Sequence, residues 1–208
     1  MLYSMNLKIS GREAVVVGGG RVAQRKVQGL LYAKARVTVI SPDLTDGLLG
    51  LAETGQIIWK PKHFSGEDLE GALIIIAATN DRGTNLSVKK YAAATQLVNI
   101  ADDPEESDFQ VPSVVKRGKL NIAVSTSGAS PILAKKICVQ LEQMFDQQYE
   151  SYLDFLASSR KEIKATVKDE GAKRKLLREL ANESFLVADQ REERFHRLLE
   201  EAVREEGR

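Results

Sequence analysis

Hydrophobic residues in the first hundred positions follow two alternating patterns. Short, largely apolar stretches rich in β-branched residues lie at 14–17, 36–40, 56–59, 72–78 and 97–101, unbroken by any polar residue at 14–17 and 72–78. Between the first two, Val22, Ala23, Val27, Leu30 and Leu31 recur at helical spacing, predicting a helix that ends near residue 33. A second helix is predicted over 84–94. Strands with no polar alternation are buried on both faces, as in parallel sheets covered by helices. The strand–helix alternation therefore predicts an α/β fold with a doubly wound parallel sheet, opening with a right-handed βαβ unit. An apolar–polar alternation over 2–9 predicts a short edge strand ahead of the turn Ser10-Gly11-Arg12.

Past residue 108 the pattern changes. Residues 109–115 and 120–124 flank the turn Lys116-Arg117-Gly118-Lys119 and predict a β-hairpin outside the parallel register. A loop dense in hydroxyls follows, from Ser125 to Pro131. Ser130 suits a helix N-cap and Pro131 the first helical position. From Gln147 the chain is charged and has no proline. Tyr152, Leu153 and Leu156, then Leu176, Leu177 and Leu180, then Phe195, Leu198 and Leu199 predict three helices with core-facing stripes.

The first apolar run ends in Gly18-Gly19-Gly20-Arg21-Val22-Ala23, which satisfies G-x-G-x-x-A between a strand and a helix. In that Rossmann-like setting Gly18 makes the tight turn and Gly20 admits a pyrophosphate. Ala23 lets the helix lie against the strand. The helix N-terminus turns its free N–H groups toward the phosphates. An acidic residue commonly follows the second strand to hold the ribose hydroxyls. Here Ile40, Ser41 and Pro42 occupy that turn, and the first acid is Asp43. Asp43 is a candidate for the ribose and equally for the N-cap of a helix starting at Leu44. Arg21 is a candidate for the 2′-phosphate of NADP, so the residues leave NAD and NADP open. Thr79 and Asn80 follow another strand's carboxyl end, where open α/β sheets bind ligands. Asp102 and Asp103 end the fifth run, before Pro104, where capping of that turn is the plain expectation.

Composition narrows the partners. The 208 residues carry a net charge of +1, which gives no reason to expect nucleic acid. No apolar run approaches membrane-spanning length, and the first residues lack a signal peptide's layout. One cysteine, Cys138, excludes an internal disulfide and fits the cytoplasm. Two distant histidines, His63 and His196, give no metal-ligand spacing, so no metal site is expected.

Several motifs together carry a family resemblance. They are Val17 to Ala23 with Arg25-Lys26, Ala77-Ala78-Thr79-Asn80-Asp81 with Asn85, and Asn99-Ile100-Ala101-Asp102. To these are added Phe109-Gln110-Val111-Pro112-Ser113 and Ala123 through Pro131. In this order and spacing the chain resembles precorrin-2 dehydrogenase, the siroheme-synthase module that some members combine with sirohydrochlorin ferrochelatase activity. The resemblance covers residues 2–145 well and the helical tail more loosely.

It implies NAD⁺-dependent oxidation of precorrin-2 to sirohydrochlorin in siroheme biosynthesis, by a homodimer with its site in a cleft between domains. Catalysis falls on Asp102, with Asp103 shaping the turn. NAD contacts fall on Arg21, Val22, Pro42 and Asp43, beside Gly18, Gly20, Ala23, Thr79 and Asn80. Ser125, Thr126 and Ser127 fall by the tetrapyrrole, whose carboxylates call for cations such as Lys116 and Lys135. Arg117, Lys119 and Lys136 are further candidates, although for any single one of these cations a solvated turn or helix-face charge is the better expectation. The expected division is an NAD-binding domain over 1–113, a dimerisation segment over 114–146 and a helical C-terminal domain over 147–208. Two alternatives stand beside this function. One is a bifunctional enzyme that also inserts Fe²⁺ into sirohydrochlorin. The other is a non-catalytic NAD(H)-sensing module, in which Asp102 and the serine loop have no required role.

Overall fold

In the computed structural model, residues 2–206 are described. They form two compact units, divided between Val111 and Pro112.

The first unit is built on five parallel strands: β1 (Glu13–Val17), β2 (Arg36–Ile40), β3 (Ile58–Lys60), β4 (Ile74–Ala77) and β5 (Leu97–Ile100). Their order across the sheet is β3-β2-β1-β4-β5. The chain reverses its direction of winding between β1 and β4, and the carboxyl ends of these two strands open a crevice there. On one face Ala14, Val16, Ile74 and Ile76 pack with Ala23, Val27 and Leu30 of α1 (Arg21–Tyr32) and Leu48 of α2 (Asp46–Glu53). On the other, Val15, Val17, Ile75 and Val98 pack with Leu69 of a 3-10 turn and Val88 of α3 (Arg82–Tyr91). Burial on both faces of β1 and β4 explains the unbroken apolar runs there, while the edge strand β3 stays half exposed.

The outer edge of β5 is closed by the chain's own return. Val98 N–H donates to the Asp108 carboxylate at 2.9 Å, and Asp108 N–H donates to Val98 C=O at 2.8 Å. Ile100 N–H donates to Ser107 Oγ at 2.9 Å, and that hydroxyl lies 3.2 Å from Ile100 C=O. Asp108 is further paired with Lys89 of α3.

The strand expected over 2–9 does not form. A strand needs a ladder partner, and none pairs with this segment among the described residues. Leu2, Tyr3, Met5 and Leu7 stay exposed, and only Ile9 reaches the core.

In the second unit β6 (Ser113–Arg117) and β7 (Leu120–Val124) form an antiparallel hairpin as expected, but the first strand starts at Ser113 rather than at 109 and takes in Lys116 and Arg117, leaving Gly118 and Lys119 as the turn. Helix α4 (Pro131–Met144) follows, with Ser130 Oγ accepting from Leu133 N–H and Pro131 opening the helix. Then come α5 (Gln148–Thr166), α6 (Glu170–Leu180), the single turn α7 (Glu183–Leu186) and α8 (Arg191–Glu206). Their common core contains Tyr152, Phe155, Ile163, Leu176, Leu180, Phe185, Phe195 and Leu199. The buried Tyr152 hydroxyl is satisfied by donating to Leu180 C=O at 2.6 Å.

Candidate functional site

A cleft of about 1320 Å³ opens at the carboxyl ends of the strands. Its floor is Gly18, Gly19 and Gly20. One wall is the turn after β2, with Ser41, Pro42, Asp43 and Thr45, and the other is Thr79, Asn80 and Asp81 after β4.

The glycines are there for close backbone approach. Gly18 has φ +118°, and a Cβ on it would lie 2.4 Å from Ala78 O. A Cβ on Gly19 would lie 1.9 Å from Asp43 O. Hydrogen bonds from Gly18 N–H to Ile40 C=O and from Thr45 N–H to Gly19 C=O bind the loop to the turn after β2. A Cβ on Gly20 would meet nothing within 4 Å, so the space above it is open.

Gly20 caps α1, no side chain caps this end, and the first turn holds no acid. The N–H groups of Arg21, Val22 and Ala23 begin the helix with its positive end toward the cleft. Arg21 and Val22 are exposed, and Ala23 is fully buried against the sheet. A donor-lined, acid-free end beside open space fits a pyrophosphate.

Asp43 lies on the cleft wall, and the alternative that it caps α2 is overturned. Thr45 holds that position, its Oγ1 accepting from Leu48 N–H, and the helix begins at Asp46. Thr45 Oγ1 also donates to Gln24 Oε1 of α1 at 2.7 Å, which leaves the Asp43 carboxylate outside the cap. Asp81 is the N-cap of α3, its carboxyl held below the usual carboxylate range by the Thr84 hydroxyl and the N–H groups of Thr84 and Gly83.

Asp102 and Asp103 behave differently. Asp103 ties its turn together: Oδ1 accepts from Glu106 N–H, Oδ2 pairs with Arg82 at 3.1 Å, and the carbonyl accepts from Ser107 Oγ. Asp102 Oδ1 accepts from Asn85 Nδ2 at 3.2 Å. Asn85 is fully buried on α3 and also bonds Thr79. Asp102 is exposed and does not line the cleft itself.

Ser125, Thr126, Ser127, Lys116 and Lys135 belong to the second unit. Ser125 Oγ accepts from Ser127 N–H, and Thr126 Oγ1 accepts from Ser130 N–H. Ser127 sits at φ +50°, a left-handed conformation rare for a residue with a side chain. Lys135 is exposed on α4. Arg117 donates to Lys116 C=O and to Glu142 C=O, and Lys119 is paired with Asp154. No group of three or more His, Cys, Asp and Glu able to hold a metal occurs among the described residues.

Some cleft residues escaped the sequence reading. Lys62, His63 and Ser65 enter the cleft from the polar stretch after β3, with Tyr91 of α3 beside them. Gly19 carries the closest contact of the loop, and a third glycine inside the motif was the available signal. Lys26 reaches Asn99 Oδ1 at 3.1 Å, and burial together with Arg25 pulls its amine below the usual lysine range.

Three family models match successive parts of the chain. The NAD(P)-binding model covers residues 5–113, the sirohaem biosynthesis protein central model 117–144 and the SirC C-terminal domain 149–195. The precorrin-2 dehydrogenase of Priestia megaterium is 34% identical over 187 residues, 90% of this chain and 93% of that protein. The siroheme synthase of Nitrosococcus oceani is 41% identical over 162 residues. This chain spans only 35% of its length. The solved structure of SirC, a precorrin-2 dehydrogenase, superposes with a TM-score of 0.84 at 33% identity, covering 96% of this chain and all of that one. The chain belongs to the precorrin-2 dehydrogenase and siroheme synthase family.

Proposed function

We propose that this chain is a precorrin-2 dehydrogenase that oxidises precorrin-2 to sirohydrochlorin with NAD⁺. The observation that carries this is similarity along nearly the whole length of the Priestia megaterium enzyme. The cleft agrees with it. Gly18 keeps the loop tight against Ala78, and the open space at Gly20 would take the pyrophosphate, which the N–H groups of Arg21, Val22 and Ala23 would hold. Asp43 accepts from the adenosine ribose hydroxyls, and Pro42 stiffens its turn. Thr79 and Asn80 bound the nicotinamide side.

Forming a new double bond removes a hydride and a proton. Bound NAD⁺ supplies the hydride acceptor. Asp102 takes the proton as general base. Asp103 is held in its turn by Arg82 and Glu106 and stays out of the chemistry. Ser125, Thr126 and Ser127 donate to the substrate's polar periphery, and Lys116 and Lys135 meet its carboxylates. The working form is a homodimer joined through the hairpin and α4, in the cytoplasm. No helix among the described residues is long and apolar enough to cross a membrane.

Absorbance spectra of the purified protein with precorrin-2 and either NAD⁺ or NADP⁺ test this. Sirohydrochlorin forms, and initial rates favour NAD⁺. Asp102→Asn loses about 10²- to 10⁴-fold in rate, the range for a general base, while Asp103→Asn keeps most of it. No product from the wild-type chain would overturn the function, and near-wild-type turnover by Asp102→Asn would remove Asp102 from the mechanism.

A further inference from the structure

We infer that Asn85 is the positioning residue that aims Asp102, by fixing its carboxylate to the wall of the cofactor cleft. This rests on Asp102 acting as the base. The side chain of Asn85 is fully buried, and its hydrogen-bonding capacity is spent on two residues. Oδ1 accepts from Thr79 N–H at 3.1 Å and from the Thr79 hydroxyl at 2.8 Å. Nδ2 donates to Thr79 C=O at 3.2 Å and to Asp102 Oδ1 at 3.2 Å.

A carboxamide has two acceptor sites and two N–H donors: both donors are used, one acceptor site takes the Thr79 N–H, and the Thr79 hydroxyl proton is shared between Asn85 Oδ1 and Asp81 C=O at 2.9 Å. Its orientation is not open either. The Thr79 N–H can only donate and the Thr79 C=O can only accept, so turning the amide over breaks both bonds.

A purely structural asparagine would be satisfied by Thr79 and one further backbone group. Here the fourth bond goes to an exposed carboxylate 17 residues away in sequence. Losing that partner would leave a buried N–H unpaired, so the bond is costly to break. Asp102 follows the sheet's edge strand, in a loop tied elsewhere through Ala101, Asp103 and Ser107. Asn85 ties one of its oxygens to Thr79, which lines the cofactor cleft. Among the described residues Oδ2 accepts no hydrogen bond, which leaves that oxygen for the substrate. The neighbouring charges are already engaged. Asp103 is paired with Arg82, and the Asp81 carboxylate accepts from Gly83 and Thr84.

The test is the pH dependence of kcat in Asn85→Asp and Asn85→Ala, with circular dichroism and NAD⁺ titration as controls. Asn85→Asp keeps the acceptor for Thr79 N–H but sets a negative oxygen against Asp102. A like charge disfavours the ionised base, so the acid limb of the profile moves up by about one pH unit. Asn85→Ala removes the donor and moves the limb the same way by less, and it carries the test if Asn85→Asp fails to fold. Both lose about tenfold in kcat at neutral pH, less than the roughly 10²- to 10⁴-fold that removing the base itself would cost. A loss spread evenly over pH, or unchanged kcat, overturns the inference. The Asp102→Asn result separates the two layers. If that variant is strongly impaired while the Asn85 variants keep the wild-type limb, positioning fails and the base stands. If it turns over normally, both fall.

Discussion

Gly19 and Gly20 are neighbours in one loop, yet an added methyl group meets different surroundings at each. At Gly19 it would strike the Asp43 carbonyl, which is backbone and cannot swing away. At Gly20 it enters open space. Gly20→Ala should therefore keep the fold, losing about 1 kcal/mol or less as a poorer N-cap, while NAD⁺ affinity falls at least tenfold because the methyl occupies pyrophosphate space. Gly19→Ala should lower both the melting temperature and the affinity. Thermal unfolding and NAD⁺ titration of the pair would check this, and equal behaviour of the two variants would contradict it. The loop was legible from sequence because close backbone approach excludes every side chain larger than hydrogen. Asp43 was half legible. Its type and offset were visible, but only the Thr45 hydroxyl bonded to Leu48 N–H rules out the cap. The Asn85–Asp102 bond was not legible, since 17 residues separate two polar side chains that only the packing of α3 against the sheet brings together.

Among the elements, β5 shows how side chains can complete a sheet. The groups of Val98 and Ile100 that face away from β4 are met by Asp108 and Ser107. Burial opposes the Asp108 charge, but bonds from Lys89 and Val98 N–H outweigh it and hold the carboxyl below its usual range. A carboxylate with a depressed folded-state pKa stabilises the fold at pH values above its unfolded pKa. That contribution is lost as pH falls through the folded value. Asp108→Asn should therefore have its full destabilising effect near pH 6, and the effect should shrink steadily below about pH 4, near the ordinary aspartate value. Urea unfolding of both chains at pH 6 and pH 3 would measure this. A constant difference would show that the charge is not what matters. The strands and the hairpin were legible because period and turn chemistry act locally. The alternation over 2–9 misled because it reports a half-buried surface without saying whether a partner strand exists, and none does among the described residues.

For the molecule as a whole, the second unit leaves apolar side chains uncovered on α4 and the hairpin. Ile132 is 84% exposed and Met144 68%, with Val139, Leu133 and Val114 also exposed. Unpaired strand edges flank them, because β6 and β7 form a sheet of only two strands. Such a surface is what a second copy would cover in the proposed homodimer. Light scattering should give twice the 23.0 kDa of one chain at micromolar concentration. Ile132→Glu with Val139→Glu should shift the mass toward one chain, and a wild-type mass of 23.0 kDa would count against the dimer.

The closure of β5 by Ser107 and Asp108 also bears on how the molecule can be dissected. A chain cut just after Ile100 would hold all five parallel strands and still carry a bare flank of N–H and C=O groups. Such a flank recruits strands from other molecules. The natural limit of the sheet is therefore reached several residues past its last strand. Anyone trimming the first unit for isolation would have to keep the return as far as Phe109, whose carbonyl accepts from Asn99. A nascent chain meets the same condition, staying adhesive along one side until that short return has emerged.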